Sequence, residues 1–346
     1  MKIYQLNSAL PGLIIPWYLQ NKRDLPWRKD KEPYAVWLSE IMLQQTRVET
    51  VKPYYERFLA ELPTVGKLAA ASEAQLYKLW EGLGYYSRAR NLQKTAQLIM
   101  QEYGGIFPHE YEQIVRLPGI GPYTAGAIAS ICFNVPIPAV DGNVLRVIAR
   151  VEGLTEDVCS PAAKKGIREA LAQIYPQANC SDFTQGIMEL GATVCIPNGK
   201  PKCGICPIKN ICKALQNGTA ETIPLKRPPK TRTHENITVL TLVCDGNFAI
   251  RKRKDQGLLA GLWEFPNHAG RLTQKQAISL AADWGAAPEK TVRAAEKTHI
   301  FTHIEWRMRF YLISCKKQPE LFRWADEKEL REIYAIPTAF QLPDFP

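Results

Sequence analysis

Apolar residues recur every three or four positions through the first two thirds of the chain and every second position through the last third. The helical spacing runs through PYAVWLSEIMLQQTRVETV (33–51), EAQLYKLWEGL (73–83), RNLQKTAQLIMQEY (90–103), TAGAIASICF (124–133) and NVLRVIARV (143–151). A period of about 3.6 residues puts such side chains on one face, so each stretch predicts a helix. Glycine and proline punctuate the joins at Gly82-Leu83-Gly84, Gly104-Gly105, Pro118-Gly119 and Pro136 to Pro138. Residues 216–236 carry three prolines and few apolar side chains and predict an extended linker. Beyond them, ITVLTLV, the turn Asp245-Gly246-Asn247 and FAIRKR predict a β-hairpin. THIFTHIEW and RMRFYLIS predict a second strand pair, with Trp306, Met308 and Phe310 alternating with Arg307, Arg309 and Tyr311. Short helices are expected at 273–284 and 326–333. The pattern therefore predicts a multidomain chain: an all-α domain over 1–215, a linker over 216–236 and a smaller α+β domain over 237–346.

With 46% hydrophobic and 23% charged residues among 346, the composition is that of a globular protein and excludes a disordered, collagenous or simple coiled-coil chain. No stretch reaches the ~18 consecutive apolar residues of a membrane helix. The first twenty residues, interrupted by Pro11 and Pro16, make a poor signal peptide. The expectation is a cytoplasmic monomer with no membrane partner, associated with the nucleoid when bound to DNA. Lys and Arg number 44 and Asp and Glu 34, and the resulting net charge of +10 suits a polyanion, of which nucleic acid is the commonest. A basic enzyme without such a partner is the plainer alternative.

Nine cysteines, an odd count, argue against a disulfide framework. Cys132, Cys159, Cys180, Cys244 and Cys315 are scattered and read as core residues, whereas Cys195, Cys203, Cys206 and Cys212 share one 18-residue window. Structural zinc sites usually pair two short knuckles across a longer gap. Here four thiols follow one another in a Pro/Gly-containing loop, CIPNGKPKCGICPIKNIC, which favours an iron–sulfur cluster over zinc and over chance thiols.

Two further features carry candidate chemistry. In YEQIVRLPGIGPYTAGAIAS, Gly119 and Gly121 separate two predicted helices, and Pro122 suits the first position of the second. The N–H groups at that helix start would face an anion such as a DNA phosphate, which positions a duplex without reading it. A plain helix corner is the alternative. Glu40 shares a helix face with Val36, Trp37, Leu43 and Gln44, so its carboxyl is a candidate for desolvation, a raised pKa and general-acid work; a surface glutamate is the alternative. Asp141, before NVLRVIARV, is a candidate helix cap, as is Asn143, and capping keeps a carboxylate ionised. One protonated and one ionised carboxyl is the pairing that breaks glycosidic bonds. No lysine occurs between Lys94 and Lys164, so this stretch offers no amine for a Schiff base.

WLSEIMLQQTRVETV, EGLGYYSRARNL, LPGIGPYTAGAI and VDGNVLRV together resemble the adenine DNA glycosylases of the MutY family, in the helix-hairpin-helix (endonuclease III) superfamily, over nearly all of residues 20–215. The cysteine loop is similar to that superfamily's C-x6-C-x2-C-x5-C pattern, with one extra residue in the first gap. The resemblance implies a 4Fe-4S cluster on Cys195, Cys203, Cys206 and Cys212, with Lys200, Lys202 and Lys209 facing DNA. It implies that Glu40 protonates adenine N7, that Asp141 stabilises the oxocarbenium ion, and that Tyr123 and Asn143 support the reacting sugar. Trp27, Arg28, Leu43 and Val48 would line the pocket of a flipped adenine; Gln45 and Tyr85 would wedge into the stack, and Thr46 would touch the opposite base. For Tyr85 a core aromatic is the alternative. Tyr123 stands where lyase members of the superfamily carry their lysine, which implies hydrolysis without efficient strand cleavage.

GLLAGLWEFP and the helix after it resemble a Nudix fold, but TQKQAISLAADWG offers only Asp283 where a working hydrolase needs glutamates for Mg²⁺. A binding domain is expected. Phe301-Thr302-His303 stands where the family's Phe-Ser-His turn meets 8-oxoguanine, with an ordinary β-turn as the alternative. The expected partner is duplex DNA with adenine opposite 8-oxoguanine or guanine. The rivals are a glycosylase/lyase of the endonuclease III type acting on oxidised pyrimidines, a nucleotide pyrophosphohydrolase and a lesion-binding protein without chemistry.

Overall fold

Most of the glycines and prolines that punctuate the helical pattern fall at helix ends in the computed structural model, which describes residues 4–225 and 231–344, the side chains of 290–292 excepted. Residues 226–230 of the expected linker, and 345–346 of the expected second domain, fall outside the described residues. Twelve helices come first: α1 (Leu10–Asn21), α2 (Pro33–Met42), α3 (Val48–Glu61), α4 (Val65–Ala70), α5 (Glu73–Trp80), α6 (Ser87–Glu102), α7 (Tyr111–Ile114), α8 (Pro122–Phe133), α9 (Gly142–Glu152), α10 (Pro161–Ile174), α11 (Cys180–Thr193) and α12 (Lys213–Gln216). No described helix is long and apolar enough to cross a membrane. Contacts divide the described residues into two units, one from 1–70 with 90–228 and one from 71–89 with 229–346.

In the first unit, Leu10 and Ile14 of α1 meet Val144, Val147 and Ile148 of α9 and Phe183, Ile187 and Leu190 of α11 in one core. Each fully buried aliphatic side chain of this kind contributes about 1.5–3 kcal/mol. The small residues of α8, TAGAIAS, let it pack against both α2 and α11. One expected helix is broken. The stretch 33–51 forms α2 and α3 with residues 43–47 between them, where Gln45 takes a left-handed φ of 57° and Arg47 is extended. The spacing continues across the break, but the backbone turns there.

The second unit has strands β1 (Thr233–Cys244), β2 (Asn247–Lys252), β3 (Trp263–Glu264) and β4 (Asn267–Ala269), helix α13 (Gln274–Asp283), strands β5 (Pro288–Ile300), β6 (Ile304–Cys315) and β7 (Arg323–Ala325), and helix α14 (Glu327–Glu332). The sheet order is β3-β2-β1-β6-β5, with β4 beside β1 and β7 beside β2. Among the described strands only β1 and β6 run parallel, with Val239 opposite Phe310. Residues 233–236, expected as linker, already pair with 304–307 as strand. Leu240, Leu242, Tyr311 and Ile313 pack with Ala277 and Ala281 of α13. Val239, Trp306, Met308 and Phe310 pack with Phe265, Ile336 and Phe340 in a second cluster. The second strand pair turns at Phe301-Thr302-His303 and not between Trp306 and Arg307, because the 306/308/310 alternation continues unbroken along β6. Thr273 and Asp326 each close a reciprocal cap at the start of α13 and α14.

Candidate active site

Several segments of the first unit converge on one cavity of about 360 Å3, a volume within the roughly 300–1,000 Å3 of small-molecule sites. Helix α2 is started by Glu32, whose carboxylate accepts the Ala35 N–H at 2.8 Å, and by Pro33. Almost all of α2 is buried, including Glu40 at 7% exposure. Tyr123, in the first turn of α8, donates its hydroxyl to Glu40 Oε2 at 2.5 Å. Asp141 caps α9, accepting the Val144 N–H at 2.7 Å and Asn143 Nδ2 at 2.6 Å. Helix α11 supplies Gln185, Met188 and Glu189, and Trp27 and Arg28 of the short 3-10 turn Pro26–Arg28 complete the wall.

Burial moves Glu40 from the carboxylate range up to about 7; the Tyr123 hydroxyl pulls it down, the Asp141 charge pushes it up, and Arg28 lowers it. Burial also raises Asp141, against the Val144 N–H and the Asn143 amide, which favour its anion. Asn143 is held in turn. Its Oδ1 accepts Arg146 Nη2 at 2.9 Å, while Arg146 also donates to the carbonyls of Gly191 and Cys195, both at 2.8 Å. A Cβ on Gly191 would meet Asn143 Cβ at 2.6 Å, so α11 can lie this close to the start of α9 only with glycine there.

The cavity brings together Glu40, Tyr123, Asp141 and Asn143 with Trp27, Arg28, Leu43 and Val48, and Gln45 and Thr46 line it as well. It does not include the other candidates. Gly119 has a φ of 76°, and a Cβ there would meet Asn91 Cβ at 2.6 Å; Gly121 caps α8 with open space around it. Tyr85 belongs to the second unit, is exposed, has a φ of 46° and shares a 2.9 Å hydrogen bond with Thr302 Oγ1. Phe301 stacks edge-on against His299 and Trp306, whereas Thr302 and His303 are exposed at the hairpin tip.

Sequence reasoning missed Glu189, a carboxylate with no exposed side-chain surface. It accepts Arg23 Nε at 2.7 Å, Arg23 Nη2 at 2.8 Å, the Arg23 N–H at 3.1 Å and Arg28 Nη2 at 2.8 Å. Burial pushes its carboxyl up, but the Arg23 and Arg28 guanidiniums outweigh that and hold it at about 2. The signal was available, since in CSDFTQGIMELG Glu189 sits among apolar neighbours as Glu40 does on α2.

Cys195, Cys203, Cys206 and Cys212 line a second cavity, with Val147, Val151, Val194 and Ile208. No three His, Cys, Asp or Glu side chains among the described residues converge closely enough to hold a single metal ion. The four thiols share one largely apolar space, an arrangement that a cluster's four ligands require. The first cysteine gap includes an exposed segment, 197–200, in which Gly199 has a φ of 76°. Arg150 braces the loop by donating to Cys195 Sγ at 3.2 Å and the Ile196 carbonyl at 2.9 Å, and Lys200, Lys202 and Lys209 are exposed.

Comparison with known proteins matches residues 38–177 to the HhH-GPD superfamily of base excision DNA repair proteins and residues 238–342 to the NUDIX domain. An adenine DNA glycosylase of Rattus norvegicus is 35% identical over 398 aligned residues, covering 96% of this chain and 77% of its own. One from Buchnera aphidicola subsp. Acyrthosiphon pisum is 40% identical over 255 residues, 73% of each chain. The solved structure of a thermostable thymine-DNA glycosylase has a TM-score of 0.55 at 28% identity, covering 61% of this chain and 96% of that one. A trapped covalent intermediate of endonuclease III with DNA has the same helical fold, with a TM-score of 0.53 at 22% identity, covering 62% and 99%.

Proposed function

The chain belongs to the adenine DNA glycosylase family, and on that premise we propose which mispair it acts on and which residues carry the chemistry. The activity it shares with the family is excision of adenine from DNA in base excision repair. The substrate is duplex DNA with adenine opposite 8-oxoguanine or guanine. A stacked adenine hides its reacting atoms, so the nucleotide must leave the stack and enter the cavity beside Glu40.

Glu40, neutral at or below about pH 7, donates its proton to adenine N7 as the glycosidic bond lengthens. The purine becomes a better leaving group and positive charge develops on the sugar. Asp141, whose anion the Val144 N–H and the Asn143 amide favour against the effect of burial, faces that charge and stabilises it. Tyr123 and Asn143, which line the same cavity, support the sugar. Trp27, Leu43 and Val48 exclude water from the base, and Arg28 offers it donors. Gln45 and Tyr85 enter the gap left in the stack, Thr46 touches the opposite base, and the hairpin around Gly119 and Gly121 takes a backbone phosphate on the N–H groups opening α8. Thr302 and His303, anchored by Phe301, meet the 8-oxoguanine. No lysine occurs between Lys94 and Lys164 and none lines the cavity among the described residues, which supports hydrolytic cleavage.

Cys195, Cys203, Cys206 and Cys212 would hold a 4Fe-4S cluster. A cluster held there would brace the loop that presents Lys200, Lys202 and Lys209. The observation that carries this reading is the pairing in one cavity of a buried, proton-holding Glu40 with a donor-stabilised Asp141. Asp141→Asn tests it, because the amide keeps the shape and loses the charge. Adenine release from an adenine:8-oxoguanine duplex should fall at least about a thousandfold with DNA affinity nearly unchanged. Retained release would remove Asp141 from the chemistry.

A further inference from the structure

We propose that Glu189 is a positioning residue for adenine excision, setting both the direction and the unbalanced charge of the Arg28 guanidinium in the pocket wall; this rests on the function proposed above. The geometry is specific. Glu189 sits on the α11 face that also carries Gln185 and Met188 into the cavity, and its carboxylate is fully buried. One carboxylate oxygen takes the Arg23 Nε and backbone N–H, and the other takes Arg23 Nη2 and Arg28 Nη2. Arg28 is also held by the Arg23 carbonyl at 3.2 Å and lies over the Tyr18 ring at 5.5 Å. A long, flexible side chain is thus pinned at three points, with its remaining N–H groups left for the cavity. Two guanidiniums share one carboxylate, so the clamp leaves one net positive charge beside the bound base.

That residual charge reaches the reacting acid. The titratable groups acting on Glu40 are Tyr123 from α8, Asp141 before α9 and Arg28 from the 26–28 turn, and Arg28 draws Glu40 downward. Cys132, also on α8, is pushed up by burial and stays neutral. Glu189→Gln is close in size, keeps one accepting oxygen of the two, and adds net positive charge to the wall. Glu40 then gives up its proton at lower pH, and the alkaline limb of the excision rate moves down. Arg23→Gln does the opposite: Glu189 is left to neutralise Arg28 alone, Glu40 holds its proton longer, and the alkaline limb moves up. Arg23 is 36% exposed, so the core tolerates its replacement.

The test is the pH dependence of single-turnover adenine release from an adenine:8-oxoguanine duplex by the full chain carrying its cluster, with circular dichroism as the folding control. The expected result is an alkaline limb about one pH unit lower in Glu189→Gln and displaced upward in Arg23→Gln. A merely structural role would reduce the rate by the same factor at every pH. Unshifted limbs in both variants, or shifts in the same direction, overturn the proposal. Should Glu189→Gln fail to fold, the direction of the Arg23→Gln shift decides alone. A wild-type chain that releases no adenine would overturn the underlying function as well, whereas an active wild type with unshifted variants overturns only the clamp.

Discussion

Replacing Glu40 with glutamine separates two consequences of burying one carboxyl. In the folded chain Glu40 holds its proton up to about pH 7, against a value near 4.5 when unburied, because the pocket wall desolvates it. A group whose folded pKa is raised favours the folded state while protonated and loses that contribution as pH climbs through the folded value. A gap of this size corresponds to roughly 3 kcal/mol of stability lost between about pH 4.5 and the far side of pH 7. Glutamine keeps the oxygen that accepts the Tyr123 hydroxyl and has no charge to desolvate. The variant should therefore match the wild type in stability at pH 4.5 and exceed it at pH 8.5 by up to about 3 kcal/mol, seen as a thermal midpoint several degrees higher. Its single-turnover adenine release should nevertheless fall by about 10²–10⁴, the usual contribution of a general acid. Thermal melts at the two pH values and quenched time courses on one duplex read both quantities. A variant that keeps most of its rate refutes the acid assignment, and a stability difference that does not grow with pH refutes the desolvation argument.

Gly191→Ala should displace Asn143, because the new methyl group would meet its Cβ at 2.6 Å; excision should slow about tenfold to a hundredfold with the circular dichroism spectrum preserved. Thr302→Ala should leave excision opposite guanine unchanged and reduce the preference for 8-oxoguanine, measured as the ratio of rates on the two duplexes. Cys203→Ser should lower absorbance near roughly 400 nm, the region of thiolate-bound iron, and weaken DNA binding more than base hydrolysis at saturating enzyme.

Local pattern made much of this readable. The face of α2 pointed to a buried Glu40 and the position before NVLRVIARV to a capping Asp141, because each depends on neighbours within a few residues. What stayed hidden depends on distant partners. The break at 43–47 lies in residues that suit a helix, and only the path from α2 to α3 forces Gln45 into a left-handed conformation. Glu189 finds its partners in Arg23 and Arg28, more than 160 residues away. Residues 71–89 look like the other helices, yet Glu81 accepts the Ile336 N–H at 2.8 Å and Glu73 pairs with Lys252 at 2.8 Å. The turn at 301–303 was visible as a motif, but the strand limits around it were set by the pairing of β1 with β6.

The most direct measurement mixes the chain with an adenine:8-oxoguanine duplex in the presence of borohydride, then scores free adenine, strand breaks and covalent protein–DNA adduct together. Free adenine, a strand that breaks only after alkali and no trapped adduct are the predicted result. An adduct or an immediate nick would mean that an amine attacks the sugar, and the assignment of the reaction to Glu40 and Asp141 would be contradicted.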